Sequence, residues 1–311
     1  MKKIRSDRSY NLSSGTIVTI GTFDGVHIGH RKIIKELIKK AKDHDLESVL
    51  LTFFPHPRMV LQKDADIKLI NTLDEKSQIL ENLGLDYLVI EKFTEQFSRI
   101  TAVEFVRDIL VNKLNAKQVI IGYNHRFGRN RAANINDLTE FAQTFDFKVH
   151  QIPAQDIDEV AISSTKIRIA LNKGDIEKAN SYLGYEFMLT GTIIKGKGLG
   201  KKIGFPTANL HIEEPYKLIP KNGVYAVSCM INDERVIGMM NIGVNPTVNG
   251  EELTKEVHLF DFEQDLYGRT VQVDMHARLR DEQKFDSINE LKAQLIKDKE
   301  ATLQILRLNA S

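Results

Sequence analysis

The chain has 311 residues, more than one hydrophobic core usually serves, so two domains are expected, each large enough to fold unaided. Lysine and arginine number 43 against 42 aspartates and glutamates, which excludes the global basic field of a nucleic-acid wrapper and makes any basic site local. No apolar run approaches the ~18 residues of a membrane span, MKKIRSDRSYNLSSG lacks the apolar segment of a secretion signal, and the single cysteine, Cys229 in VYAVSCMI, reads as a buried strand position; a cytoplasmic protein is expected.

Thr16 to Ile20 reads as a strand, and Arg31 to Lys42 as a helix with Ile33, Ile34, Leu37 and Ile38 on one face. Ser48 to Phe53 is a predicted strand, Asp74 to Leu83 a helix ended by Gly84, and Tyr87 to Ile90 a strand. Thr101 and Glu104 form the capping box of a helix to Leu114 that should bury Val103, Val106 and Leu110, with Phe105 a further candidate. A strand at Val119 to Ile121, a helix near Ile135 to Phe145 and a strand at Lys148 to Ile152 follow. Strands separated by helices of this length predict an α/β fold with a doubly wound parallel sheet.

Near Tyr185 the texture changes to short β-rich segments with glycine turns: Met188 to Ile194, Val224 to Ile231, Arg235 to Ile242, Glu256 to Phe260 and Thr270 to Ala277. That pattern predicts a small antiparallel β-barrel. A terminal helix, Ser287 to Leu308, should open on a Ser287/Glu290 capping box and pack Ile288, Leu291, Leu295 and Ile296 on the barrel. The boundary falls at 185, after a short helix over Asp175 to Leu183, giving domains 1–185 and 186–311.

Four polar segments follow predicted strands: GTFDGVHIGH from Gly21, FFPHP from Phe53, GYNHRFGRNR from Gly122 and ISSTKIR from Ile162. Ligands in an open parallel sheet sit beyond the carboxyl ends of the strands, so four such segments argue for one cleft. Gly25 and Gly29 let backbone approach a phosphate, while His27 and His30 can donate to charge developing on an α-phosphate. Ser163 or Ser164 can cap the helix that carries Lys166 and Arg168. No protein nucleophile is needed if the attacking group is itself a phosphate, which points to nucleotidyl transfer by in-line displacement. The plainer readings are a His-x-x-His pair lacking a third metal ligand, a rigid turn around His56 and a simple Ser-Ser-Thr helix cap.

Downstream, glycines 191, 196, 198, 200 and 204 with Lys195, Lys197, Lys201 and Lys202 form a cationic flap that leads into Gly-Phe-Pro-Thr-Ala-Asn. Turn chemistry explains the glycines but not Thr207 and Asn209, which share one strand face and offer two oxygens to Mg²⁺ and a triphosphate. Phosphorylating an alcohol needs a base, and Glu256 in KEVHLFDFEQDLYG is a candidate. It alternates onto one face with His258 and Phe260; the competing reading is a surface glutamate on an edge strand.

GTFDGVHIGH, FFPHP, GYNHRFG and ISSTKIR, followed by GKGLGKKIGFPTANL, PKNGVYAV, NIGVNPT and EVHLFDFEQDLYG, resemble the bacterial bifunctional riboflavin kinase and FMN adenylyltransferase (FAD synthetase) family over residues ~12 to ~308. The resemblance implies that His27 and His30 contact ATP and stabilise the transition state, with Arg168 acting beside them. Gly21, Phe23, Asp24, Gly25, Asn124, Ser164 and Thr165 would line that ATP site, and Phe54, Pro55, His56, Pro57 and Phe127 would hold the flavin. In the second half Gly196, Gly198, Gly200 and Lys201 would cover ATP, Thr207 and Asn209 would ligate Mg²⁺ and phosphate, Glu256 would take the ribityl hydroxyl proton, and Arg280 would lie near the flavin. His125 stands where the family commonly has an aromatic, Lys201 replaces an arginine, and Val248 stands where phenylalanine is frequent. Lysine lacks the two parallel donors with which arginine grips phosphate.

The resulting expectation is an enzyme with small-molecule substrates riboflavin, FMN and ATP and no nucleic-acid or membrane partner; the sequence leaves its oligomeric state undetermined. It would phosphorylate riboflavin to FMN and then adenylylate FMN to FAD. The alternatives are a monofunctional FMN adenylyltransferase with an inactive kinase-like domain, and a non-enzymatic flavin or nucleotide sensor.

Overall fold

The computed structural model describes residues 1–7, 9–62, 66–122, 126–152, 162–195, 204–247 and 250–308. Asn124, His125, Gly196, Gly198, Gly200, Lys201 and Val248 lie outside them. Packing divides the chain into two compact units, Met1–Leu69 with Leu73–Ser163, and Ile70–Thr72 with Ser164–Ser311. Among the described residues no helix is long and apolar enough to cross a membrane.

The first unit is built on a six-stranded sheet: β1 (Lys2–Arg5), β2 (Thr16–Ile20), β3 (Glu47–Phe54), β4 (Tyr87–Lys92), β5 (Ala116–Gly122) and β6 (Lys148–Ile152). Its order is β1-β4-β3-β2-β5-β6 and every pairing is parallel. All five residues of β2 are buried, as a central strand covered on both faces requires. One alternation, Val18, Val49, Val89 and Val119, joins the core that holds Phe105, Val106, Leu110 and Leu138. The other, Ile17, Leu50, Leu88 and Ile120, is fully buried as well, and α1 (Ile28–Asp43) packs along β2, β3 and β5. The chain runs outward from β2 through β3 to β4 and then returns to place β5 on the other side of β2, so the reversal of strand order lies between β2 and β5.

The helix predicted from Thr101 has its capping box, with Thr101 N–H donating to Glu104 Oε2 at 2.8 Å and Glu104 N–H donating to Thr101 Oγ1 at 3.3 Å. Val103 corrects the expectation, being 39 % exposed while Phe105, Val106, Ile109 and Leu110 are buried. From Phe105 to Lys113 the helix is π-bonded. Its wider turn breaks the 3.6-residue phase that would have carried Val103 inward.

The second unit is a closed antiparallel barrel of β7 (Phe187–Ile194), β8 (Ala208–His211), β9 (Gly223–Ile231), β10 (Glu234–Thr247), β11 (Gly250–Leu259) and β12 (Thr270–Arg280), in the order β10-β11-β8-β7-β12-β9. Cys229 is buried in β9 with its thiol pushed up to about 12 by desolvation. Two helices, Ser164–Lys173 and Ile176–Leu183, belong to this unit. Asn180 ties the second of them to the barrel, donating to the Met275 carbonyl and accepting from Phe187 N–H, both at 2.8 Å. Residues 70–72 are also held here, where the buried Lys217 ammonium donates to the Ile70 carbonyl at 2.7 Å. The terminal helix, Ile288–Leu308, packs on β9, β10 and β12. Ile288 and Ile296, expected on its inner stripe, are exposed; the inward residues include Asp298, Thr302 and Leu306.

Candidate active sites

In the first unit, β2 ends at Ile20 and the chain turns through Gly21 to Val26 into α1. Three departures from ordinary backbone within four residues shape the turn: φ is +45° at Phe23, +85° at Gly25 and +35° at Val26. A β-branched residue at positive φ is strained by about 1–3 kcal/mol, and such strain persists where a fixed loop geometry is used. Gly21 is required because a Cβ there would meet the Phe23 ring at 2.9 Å.

The turn delivers His27 to the N-cap of α1, where its Nδ1 accepts from His30 N–H at 3.4 Å. An accepting Nδ1 leaves the proton of a neutral ring on Nε2, so His27 presents that N–H as its donor. The His27 and His30 rings stack with centroids 3.6 Å apart, and Phe23 leans on His30 at 4.8 Å. Burial lowers the His27 pKa to about 4. Burial, reinforced by His27 and Lys76, takes His30 well below the usual imidazole range. Both rings are therefore neutral near pH 7. His30 Nδ1 is buried with no hydrogen-bond partner among the described residues. Leaving such an atom unsatisfied costs about 1–3 kcal/mol, so it marks a place where a polar ligand would be welcome.

Asp24 is buried in the same turn, and so is a residue the sequence reading missed, Lys76 on the helix Leu73–Asn82. Its Nζ donates to the Thr22 carbonyl at 2.7 Å. The only sequence signal was position, since Lys76 lies three residues after Leu73 and four before Leu80 on a stripe that should be apolar.

FFPHP begins with the last two residues of β3 and runs past its carboxyl end. Phe53 joins an aromatic row with Phe93 and Phe97 at 5.9 and 5.8 Å, and strand alternation sends Phe54 to the opposite face. Phe54, Pro55, His56 and Pro57 are half-buried, and His56 Nδ1 caps the short helix Pro57–Leu61 by accepting from Arg58 N–H at 3.2 Å. Phe127 sits in the core against Phe105, with ring centroids 5.9 Å apart. Ser164, Thr165 and Arg168 open the helix Ser164–Lys173 in the second unit, Thr165 exposed and the other two half-buried.

In the barrel, β8 lies antiparallel to β11 with Asn209 directly opposite Glu256. Thr207, just before β8, donates its hydroxyl to Glu256 Oε2 at 3.1 Å. Three groups predicted to act together thus meet at half-buried positions on two neighbouring strands. His258, two residues on, is buried between Phe205 and Phe260 and donates Nδ1–H to the Pro206 carbonyl at 2.7 Å, which fixes the approach to Thr207. Gly191, read with the flap in the sequence, instead lies inside β7, where a Cβ would strike the His211 carbonyl oxygen at 2.3 Å. Arg280, at the end of β12, is engaged by the terminal helix: Nε lies 3.0 Å from both oxygens of the buried Asp298 and Nη2 2.8 Å from Oδ2.

The donor set at Thr207, Asn209 and Glu256 is entirely hard oxygen and amide, the chemistry that Mg²⁺ accepts when phosphates complete its shell. In the first unit the donors are neutral imidazole N–H groups and an amino-terminal helix turn, which suit phosphate oxygens.

Comparison with known proteins gives two family matches, FAD synthetase over residues 10–166 and riboflavin kinase over residues 183–306. The chain is 38 % identical to a bifunctional riboflavin kinase/FMN adenylyltransferase of Listeria monocytogenes, covering 92 % of this chain and 91 % of that one. It is 37 % identical to the protein of that name from Buchnera aphidicola, covering 99 % and 100 %. A crystal structure described as a macrolide-efflux protein from Streptococcus pneumoniae is 33 % identical, with a TM-score of 0.87 over 96 % of this chain and 98 % of that one.

Proposed function

The chain belongs to the bifunctional riboflavin kinase/FMN adenylyltransferase family, and we propose that residues 1–185 carry adenylyl transfer and residues 186–311 riboflavin phosphorylation. It is a transferase of FAD biosynthesis with both activities, and its substrates are riboflavin, FMN and ATP. Membership on both family patterns favours this over an inactive kinase-like domain or a sensor. The enzyme is placed in the cytoplasm, where ATP is supplied.

In the barrel, the ribityl hydroxyl attacks the γ-phosphorus of ATP, its proton passes to Glu256, and ADP leaves. The contact between Thr207 Oγ1 and Glu256 Oε2 carries this assignment, because it aims the carboxylate while the threonine lone pairs remain available. Thr207 and Asn209 would hold Mg²⁺, which when bound neutralises phosphate charge. The flap with Gly196, Gly198, Gly200 and Lys201 is assigned to ATP, and Arg280 to the flavin.

At the β2 turn, a phosphate oxygen of FMN attacks the α-phosphorus of a second ATP and pyrophosphate leaves. His27 and His30 donate to the non-bridging oxygens as charge grows on them. Gly21, Phe23, Asp24 and Gly25 are assigned to ATP at that turn, Asn124, Ser164, Thr165 and Arg168 are likewise assigned to ATP, and Phe54, Pro55, His56, Pro57 and Phe127 to the flavin.

The test incubates the protein with riboflavin, ATP and Mg²⁺ and separates the flavins by chromatography. Glu256→Ala should lower FMN formation by about 100-fold or more while FMN-to-FAD conversion survives, and His30→Ala should do the reverse. Loss of both reactions from either change in a folded protein would overturn the assignment of separate sites.

A further inference from the structure

Lys76 is 4 % exposed, on a helix whose other inward residues are Leu73, Glu75, Ile79 and Leu80. Burying an ammonium costs several kcal/mol unless partners compensate. Two do. Its Nζ donates to the Thr22 carbonyl at 2.7 Å, and the buried Asp24 carboxylate offsets the burial that pulls the lysine pKa down. The Thr22 carbonyl accepts a second bond, at 3.2 Å, from the hydroxyl of Thr52, which is fully buried in β3. Thr22 is thus clamped from the helix and from the neighbouring strand, and the clamped segment is the one that turns through Asp24 to His27 and His30.

We propose that Lys76 is a positioning residue for adenylyl transfer: it fixes the Thr22–Asp24 turn and sets a positive charge near His30, where the α-phosphate gathers negative charge. This rests on the reading of His27 and His30 as the groups that meet the triphosphate. The charged and titratable groups bearing on His30 are His27 from the same turn and Lys76 from the neighbouring helix, and Asp24 balances Lys76. With the lysine charged, His30 stays an uncharged donor until an anion arrives. An anionic phosphate then meets the lysine's field as well as the N–H groups, and no ionised imidazole has to be desolvated beforehand.

Two substitutions separate charge from tether. Lys76→Gln keeps an N–H donor for the Thr22 carbonyl and removes the charge; Lys76→Arg keeps both. The His30 imidazole is titrated by NMR in the ligand-free full-length enzyme, and FAD formation from FMN and ATP is measured alongside riboflavin phosphorylation. Lys76→Gln should raise the His30 titration midpoint by at least about half a pH unit and slow FAD formation about ten-fold or more, with FMN formation unchanged. Lys76→Arg should keep the parent's titration and recover most of the rate. A glutamine variant with an unmoved imidazole titration, or with FAD formation within about two-fold of the parent, overturns the proposal. Should that variant not fold, the arginine variant decides, since a His30 midpoint displaced by about half a unit there contradicts a role for the retained charge. Full FAD formation by His30→Ala would sink the underlying reading, whereas the ligand-free titration would still report on Lys76.

Discussion

His27 performs two tasks that pull its chemistry in one direction. As the N-cap of α1 it must accept from His30 N–H, and as a buried ring it must stay neutral, so its pKa falls to about 4. The unfolded chain returns that pKa to about 6.5. Between these values the unfolded state holds a proton that the folded state does not, so stability is complete above the unfolded value and is lost as pH falls toward 4. The full loss is on the order of 3 kcal/mol. Denaturant midpoints of the first unit at pH 7 and pH 4.5 should therefore diverge, and His27→Asn, which keeps an N-cap acceptor but does not titrate, should narrow the gap. Equal pH dependence in parent and variant would show that His27 does not carry this linkage. Motif spacing was enough to single out His27, His30, Thr207, Asn209 and Glu256. Lys76 offered only its place between Leu73 and Leu80, which is too little, because a lysine among Asp74, Glu75 and Ser77 looks like a solvated helix position until the turn it supports is packed against it.

At the scale of elements, local chemistry was readable where it closes on itself. The Thr101 box satisfies two helix-end donors within four residues, and Thr101→Ala should cost about 1 kcal/mol in thermal or denaturant unfolding. The terminal helix is different. Its apolar residues suggested a stripe through Ile288 and Ile296, but its orientation is set by the ion pair of Asp298 with Arg280, side chains 4 % and 15 % exposed, with Gln294 donating to the same carboxylate at 2.9 Å. Removing one member leaves the other as a buried unpaired charge. Asp298→Ala should destabilise the second unit by about 3–5 kcal/mol, visible as an earlier thermal transition, and should impair FMN formation through the freed Arg280. An unchanged transition would mean that apolar packing alone seats the helix.

For the whole molecule, the helices over 164–183 bear on where the barrel unit starts. They bury Ile167, Leu171, Ile176 and Leu183, and Asn180 makes its two bonds to the barrel. A fragment 164–311 should accordingly be more stable than a fragment 186–311 by about 3 kcal/mol or more, compared by denaturant titration. Separate sites joined by a free intermediate also make a kinetic prediction. Mixing His30→Ala with Glu256→Ala protein should restore conversion of riboflavin to FAD, because FMN released by the first is substrate for the second. Failure of the mixture, with each variant retaining its own half-reaction, would mean that FMN does not pass through solution.

By itself the sequence determined the two architectures, the family and the residue types of the chemistry. Apolar periodicity, capping boxes and glycine-histidine spacing are properties of short segments and survive without neighbours. Only the tertiary structure decided that Glu256 faces Asn209 and receives the Thr207 hydroxyl, that Val103 turns outward, that Arg280 is engaged by Asp298 and that Lys76 is buried against the Thr22 carbonyl. Each of these depends on which distant segments share a buried volume, and it is burial that makes a charge or a hydrogen bond strong enough to matter.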